Sequence, residues 1–356
     1  MQVYKVRIKV LSPLAVTTGE DYYDTDFVVK NGKFICFDQE KFFKKLQDSG
    51  KLGLFLQLCQ SSSLPNMLRL RKLIYQIVDE SDEIYSNLVD SDFESIYKRN
   101  VVEYRQENAS MIDKINALRV RKIFREAVTK IPFIPGSTVK GAVRTAVLSY
   151  LLKKFLEKEP QFIDSIKFAG GVKDQLNKLE SLVLCEPKSE FQDVLKKPTS
   201  VKDAFRFIKV SDFKAKNFEV RVGVARNVKR GEEKGIPVNL EYLAEESVFE
   251  GEITLLPEFG EFFESCLPIS REFLLKALRY HYSKVFNEEI RNFGIKLKNA
   301  SQLQLLKENK NLSLIKLGFH AGRLSKTVFN EKLRKTPSTS WVLNRKPLGW
   351  CLLEVI

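Results

Sequence analysis

Residues 133–144, Phe-Ile-Pro-Gly-Ser-Thr-Val-Lys-Gly-Ala-Val-Arg, dictate a turn followed at once by a helix. Pro135 fixes φ and Gly136 tolerates positive φ, so the pair turns the chain. Ser137 or Thr138 is placed to cap the helix by accepting from its first free amides. Beyond the turn, Val139, Ala142, Val143, Ala146, Val147, Tyr150 and Leu151 recur at the spacing of one buried stripe. Lys140 and Arg144 lie four residues apart beside it, where a cation opposes the positive end of the helix dipole. Free amides, a glycine that permits close approach and two cations describe an anion site, most naturally for a phosphate. The alternative is a capped core helix carrying two solvated charges.

Charge balance favours the anion. Lys and Arg number 59 against 45 Asp and Glu, a net charge of +14, which fits a polyanionic partner such as nucleic acid. With 356 residues and 44% hydrophobic content the chain can bury a sizeable core, and its length predicts two domains. Cys36, Cys59, Cys185, Cys266 and Cys351 are scattered, with no C-x-x-C pair, so neither a disulfide framework nor a cysteine zinc site is indicated. Residues 1–5 open directly into a strand pattern, and no segment has the uncharged length of a membrane span. The expectation is a cytoplasmic protein with no membrane partner.

In chain order, Tyr4, Val6, Ile8 and Val10 alternate with Lys5, Arg7 and Lys9, a half-buried strand with a basic outer face. Leu11-Ser12-Pro13-Leu14 ends it, and Thr17-Thr18-Gly19-Glu20 begins an expected loop containing Asp21, Asp24 and Asp26. Asn31-Gly32 between apolar runs predicts a hairpin, and Asp38 predicts a helix cap. Residues from about 50 to 130 read as a helical insertion in the first domain. The distal part of the insertion carries Arg119, Arg121, Lys122 and Arg125, cations leading into the Pro-Gly turn and candidates for shared phosphate contact.

A second helical tract is expected over roughly 164–182, and a polar stretch at 186–200 marks the boundary between domains 1–195 and 196–356. Residues 204–210 are a strand candidate. Residues 218–222 and 248–255 read as strands paired with each other, and the polar segment 227–235, with Lys229 and Arg230, as a protruding loop. A helix spans 271–293, with His281 inside it in a structural role. A strand at 312–317 runs into Gly318-Phe319-His320-Ala321-Gly322-Arg323-Leu324-Ser325-Lys326-Thr327. A nucleotide-hydrolysing P-loop is rejected, because that motif requires glycine where His320 and Ser325 stand. What remains is a loop whose backbone can approach a ligand. Arg323 and Lys326 are available for phosphates, and His320 or Phe319 for stacking on a base; a tight structural turn is the alternative. Neither half shows a parallel βαβ series, so an α+β protein with two antiparallel sheets is expected.

Residues 134–145 resemble the signature of the RAMP superfamily of CRISPR-associated proteins. Leu11-Ser12-Pro13-Leu14 with Gly19-Glu20, Val210-Ser211-Asp212, the glycine-rich loop and Pro347-Leu348-Gly349-Trp350 follow in the order of the fifth-subunit family of type III-A (Csm) effector complexes. The resemblance implies tandem ferredoxin-like (RRM-like) domains that bind CRISPR RNA (crRNA) near its 3′ end and cap the complex. It also implies a role in assembly and crRNA 3′ maturation for antiviral defence, without enzymatic activity or cofactor. Implied partners are other Csm subunits, especially the backbone and small subunits, and host ribonucleases that trim the crRNA. The RNA contacts it implies are Gly136, Ser137, Lys140 and Arg144, then Gly318, Gly322 and Lys326, with Lys229 and Arg230 as further candidates.

Many relatives carry His after the Ser-Pro-Leu segment, whereas this chain has Ala15. With only His281 and His320 present, a general base for RNA cleavage is poorly supplied. Two competing readings stand beside the binding subunit. One is a RAMP endoribonuclease that processes repeat RNA. The other is a metal-assisted nuclease that cuts target RNA, using Asp21, Asp24 and Asp26. A general basic RNA chaperone is the bland alternative.

Overall fold

The computed structural model describes residues 1–23, 25–60, 63–103, 118–158, 204–229, 232–256, 270–293, 306, 309–326 and 339–356. Two sheets carry the α+β architecture. The first runs Leu312–Lys316, Trp350–Val355, Gln2–Val10, Val248–Leu255, Phe213–Asn217 and Phe133–Ile134, with Ile208–Val210 also on Val248–Leu255. Every pairing in it is antiparallel. Val6, Ile8 and Val10 are fully buried against the helices Gly136–Lys158 and Arg271–Phe293, as the alternation requires. Two cations of the basic outer face are paired with carboxylates. Arg7 pairs with Glu250 at 2.9 Å and Glu354 at 3.2 Å, and Lys9 with Glu246 at 2.6 Å.

The second sheet runs Thr17–Tyr22, Val120–Ile123, Glu232–Leu243, Val220–Lys229, Glu83–Val89, Lys33–Phe37 and Phe27–Lys30, with Ser340–Leu343 also on Val220–Lys229. It is antiparallel apart from two short parallel pairings, those of Glu83–Val89 and Val120–Ile123 with their neighbours. The hairpin turns through Asn31 (φ 50°) and Gly32 (φ 71°), and Asp38 accepts from the amides of Glu40 and Lys41.

Several expectations need correction. The insertion is not purely helical: besides the helices Leu52–Cys59, Leu64–Ile77 and Ser91–Tyr97 it supplies two strands, Glu83–Val89 and Val120–Ile123. Glu83–Val89 escapes a hydrophobicity reading because its inward residue Asn87 is polar while Ile84 and Leu88 are exposed. Thr17–Tyr22 is a strand rather than a loop. Gly19 (φ 92°) lies where its register against Val120–Ile123 shifts, the bulge that made the segment read as irregular. Residues 204–207 form a 3₁₀ turn, and only Ile208–Val210 is strand.

The segment at 227–235 is not a loop either. Val220–Lys229 and Glu232–Leu243 pair with each other through Lys229 and Glu232, so Lys229 rides a long hairpin whose turn, with Arg230, lies outside the described residues. Val248–Leu255 therefore pairs elsewhere, with Gln2–Val10 and two strands before it. The tract at 164–182 and the boundary stretch at 186–200 also lie outside the described residues. Each sheet combines strands from both sides of residue 195. No helix among the described residues is long and apolar enough to cross a membrane.

Candidate nucleic-acid interface

Three separated segments are laced together by backbone hydrogen bonds where the two sheets meet. The Gly349 amide donates to the Pro13 carbonyl at 2.8 Å, the Leu317 amide to Gly349 at 2.8 Å and the Phe319 amide to Ala15 at 2.6 Å. Ser12 Oγ accepts from the Trp350 amide at 2.9 Å. The approach is so close that a Cβ on Gly318 would lie 2.4 Å from the Ala15 carbonyl oxygen, and one on Gly349 2.2 Å from that of Leu317. Both glycines also have φ near 90°. Gly318 is thus required by the fold, and Ala15, buried in this seam, is a packing residue.

Beside the seam a cleft of about 450 Å³ opens between the start of the Gly136–Lys158 helix and the glycine-rich loop. Ser137, Thr138, Gly141, Ala142 and Thr145 form one wall, and Gly318, Phe319, Ala321, Ser325 and Lys326 face them, with Val16, Thr17 and Phe124 at one side. The structure therefore brings together Ser137, Gly318 and Lys326 from the expected contacts. Lys316 also lines it, fully buried, in an ion pair with Glu289, which in turn accepts from Trp350 Nε1 at 3.0 Å. Burial holds the Lys316 ammonium below its usual pKa, opposed by Glu289.

The helix start is capped differently from expectation. The helix begins at Gly136, with Ser137 and Thr138 already inside it, and the Gly136 amide donates to Asp212 Oδ1 at 2.8 Å. A carboxylate from the protein's own Val210-Ser211-Asp212 segment thus occupies one amide assigned to a phosphate. A Cβ on Gly136 would lie 2.3 Å from the Val210 carbonyl oxygen, so this glycine too serves packing. Lys140 is half-buried and lies outside the cleft lining; Arg144 sets its guanidinium 5.2 Å from the Phe205 ring.

The cationic run is a strand, and its members diverge. Arg125 is 10% exposed in a 2.9 Å pair with fully buried Glu241, whose carboxylate also accepts from Asn87, Tyr22 and the Ile123 amide. Arg125 is therefore a core residue rather than an RNA contact. Arg121 pairs with Asp21 at 3.4 Å and stacks over Phe319 at 5.2 Å, beside the cleft. Lys122 lies 4.0 Å from Glu20 and over Tyr22, and exposed Arg119 lies over Tyr23. Asp26 accepts from the Tyr23 amide at 2.9 Å, and Asp24 lies outside the described residues.

His320 (φ 57°) lies parallel to Trp341 at 3.7 Å, with Phe319 tilted against it at 3.7 Å, so its stacking faces are taken by the protein. Burial, then Lys326 and Arg121, pushes its pKa down to about 4. His281 is 2% exposed, its Nε2 3.3 Å from the Ser325 carbonyl oxygen, and burial lowers its pKa to about 4. His281 is structural, as expected. Gly322 (φ 91°) lies 3.7 Å from Glu289 Oε1 by its ideal Cβ, and Arg323 belongs to the short Arg323–Lys326 helix.

Sequence reasoning missed Thr17, Phe124, Gly141, Thr145 and Lys316 as cleft residues, and Asp212 as the cap. Gly141 alone gave a signal, a glycine inside a helical pattern where Ala would be more stable.

The sequence model of the RAMP superfamily matches residues 7–317. Two curated relatives are named CRISPR system Cms protein Csm5. The one from Methanocaldococcus jannaschii is 24% identical over 338 residues, 91% of this chain and 72% of that protein. The one from Streptococcus thermophilus is 27% identical over 152 residues, 42% of this chain and 38% of that protein. Among solved structures, a chain of a Csm–crRNA–target RNA ternary complex of a type III-A CRISPR-Cas system superposes with a TM-score of 0.68 at 19% identity. That match covers 99% of this chain and 100% of the other. Csm5 of T. onnurineus gives 0.64 at 19% identity, over 98% and 100%. These structural likenesses establish the fold, in keeping with a tandem ferredoxin-like arrangement.

Proposed function

The chain belongs to the RAMP superfamily, and on that premise we propose that it is a non-catalytic, Csm5-like RNA-binding subunit of a type III-A effector complex. In this reading it holds the 3′ region of the crRNA, joins the backbone and small subunits, and supports assembly and 3′ maturation. The observation that carries the reading is the cleft itself, where the helix edge after Pro135-Gly136 faces the glycine-rich loop and Lys326. Two sequence-distant motifs meet around one open space lined by both polar and apolar groups, in a chain of net charge +14. Relatives named Csm5, and a structural neighbour solved with crRNA and target RNA, support the same assignment.

The non-catalytic clause rests on the histidines. His281 is packed inside the protein and His320 has its Nε2 buried, and neither lines the cleft, which leaves neither placed to accept a ribose 2′-hydroxyl proton.

The test is to tag the chain in its native host, purify it gently, and sequence the RNA and identify the proteins that accompany it. Repeat-derived RNAs with common 3′ ends, alongside other Csm subunits, are the expected result. Mixed cellular RNA without such partners overturns the reading. Incubation of the purified chain with repeat RNA, in chelator and in Mg²⁺, checks the non-catalytic clause, and cleavage in either would replace it.

A further inference from the structure

The glycines of this protein divide into those the fold needs and those it does not. Gly136, Gly318 and Gly349 are pressed against backbone carbonyls, so a Cβ at any of them would collide. Gly141 is the opposite case. It lies in the interior of the Gly136–Lys158 helix with no positive φ, and a Cβ added there meets nothing within 4 Å. A glycine inside a helix weakens it relative to alanine, so neither backbone conformation nor packing explains this one.

Its position does. Gly141 is exposed and lines the cleft between Ser137 and Thr145, one helical turn from each on the same edge, opposite Phe319 and Lys326. We infer that Gly141 is the contact point for the bound strand: a ribose-phosphate unit of single-stranded RNA lies directly on the helix backbone there. A side chain at 141 would occupy the space the strand takes. This inference rests on the cleft being the RNA site, and it assigns to Gly141 the close-approach role that sequence reasoning gave to Gly136.

Gly141→Ala and Gly141→Leu separate the two demands on this position. With the full chain and a single-stranded repeat-derived RNA, Gly141→Ala should raise the melting temperature by about 1–2 °C while weakening binding several-fold. Gly141→Leu should weaken binding by about tenfold or more, because the larger side chain fills the approach path. Gly53, second residue of the Leu52–Cys59 helix, likewise has open space at its Cβ and lies outside the cleft, so Gly53→Ala should leave binding unchanged. Lys326→Ala tests the cleft independently. If it weakens binding while both Gly141 variants bind normally, the inference about Gly141 is wrong and the cleft reading survives. If Lys326→Ala and both Gly141 variants all bind normally, the cleft is not the RNA site and both fall.

Discussion

The Asp212 carboxylate accepts the Gly136 amide hydrogen at 2.8 Å across a separation of 76 residues. It ties the strand edge at 210–212 to the first turn of the helix that walls the cleft. An acceptor supplied in this way satisfies one of the donors a helix start leaves open.

Replacing that acceptor should loosen the helix start. Asp212→Ala is expected to destabilise the protein by about 1 kcal/mol, within the range for lost caps. A urea midpoint lowered accordingly, with unchanged slope, is the readout. An unchanged midpoint would mean that water replaces the carboxylate at no cost.

Arg125 and Lys326 should separate stability from binding. Arg125→Met leaves Glu241 buried without its cation and is expected to cost about 3–5 kcal/mol, with little effect on the salt dependence of RNA binding. Lys326→Ala should leave the fold intact and reduce the slope of log K against log salt by about 0.7, one single-strand phosphate contact. A stable Arg125→Met protein with a reduced salt slope would return Arg125 to the RNA path.

Lys140 and Arg144 remain candidate phosphate contacts at the rim of the same helix. The double substitution Lys140→Ala/Arg144→Ala is expected to flatten the salt slope by about one to two units. Binding isotherms at four or five salt concentrations suffice, and parallel lines for variant and parent would exclude both residues.

Acid should weaken the fold before most carboxylates titrate. His281 falls from an ordinary pKa of 6.5 to about 4 in the folded protein, chiefly through burial. The unfolded chain therefore binds this proton first as pH drops. The contribution is fully present above about pH 6.5 and is lost as pH falls toward 4, amounting to about 3 kcal/mol at most. His281→Gln should flatten the stability profile in that window, measured by urea denaturation at several pH values. A profile as steep as the parent's would assign the window to His320 or to other groups.

The elements that were legible in the sequence are those whose cause is local. The Val6, Ile8, Val10 alternation, the Asn31-Gly32 turn and the Asp38 cap each carry their explanation within a few residues. What escaped depends on distant partners. Arg125 looks like a surface cation until Glu241 is placed beside it, and Asn87, inside the expected helical insertion, shows its role only once both surround it. The long hairpin reads as a loop in sequence because residues 232–237 of its outer half are exposed, so no buried stripe marks it as strand. At the candidate site, sequence spacing located both walls. It could not show that Gly136 is claimed by Ser211 and Val210 while Gly141 stands open.

The first strand has consequences for how this protein is made. Gln2 pairs with Leu255 and Val6 with Val355, so this strand leaves the ribosome well before either of its neighbours. At ordinary synthesis rates roughly 10–50 s separate Gln2–Val10 from its partner Val248–Leu255, and longer still from Trp350–Val355. During that interval an alternating apolar strand has two unpaired edges, the state most open to wrong pairing and to chaperone capture. The same arrangement makes the last strand a latch. A nascent chain that stopped at residue 349 would hold the seam glycines and the cleft walls in its sequence, yet lack the strand that clamps Gln2–Val10 beside them.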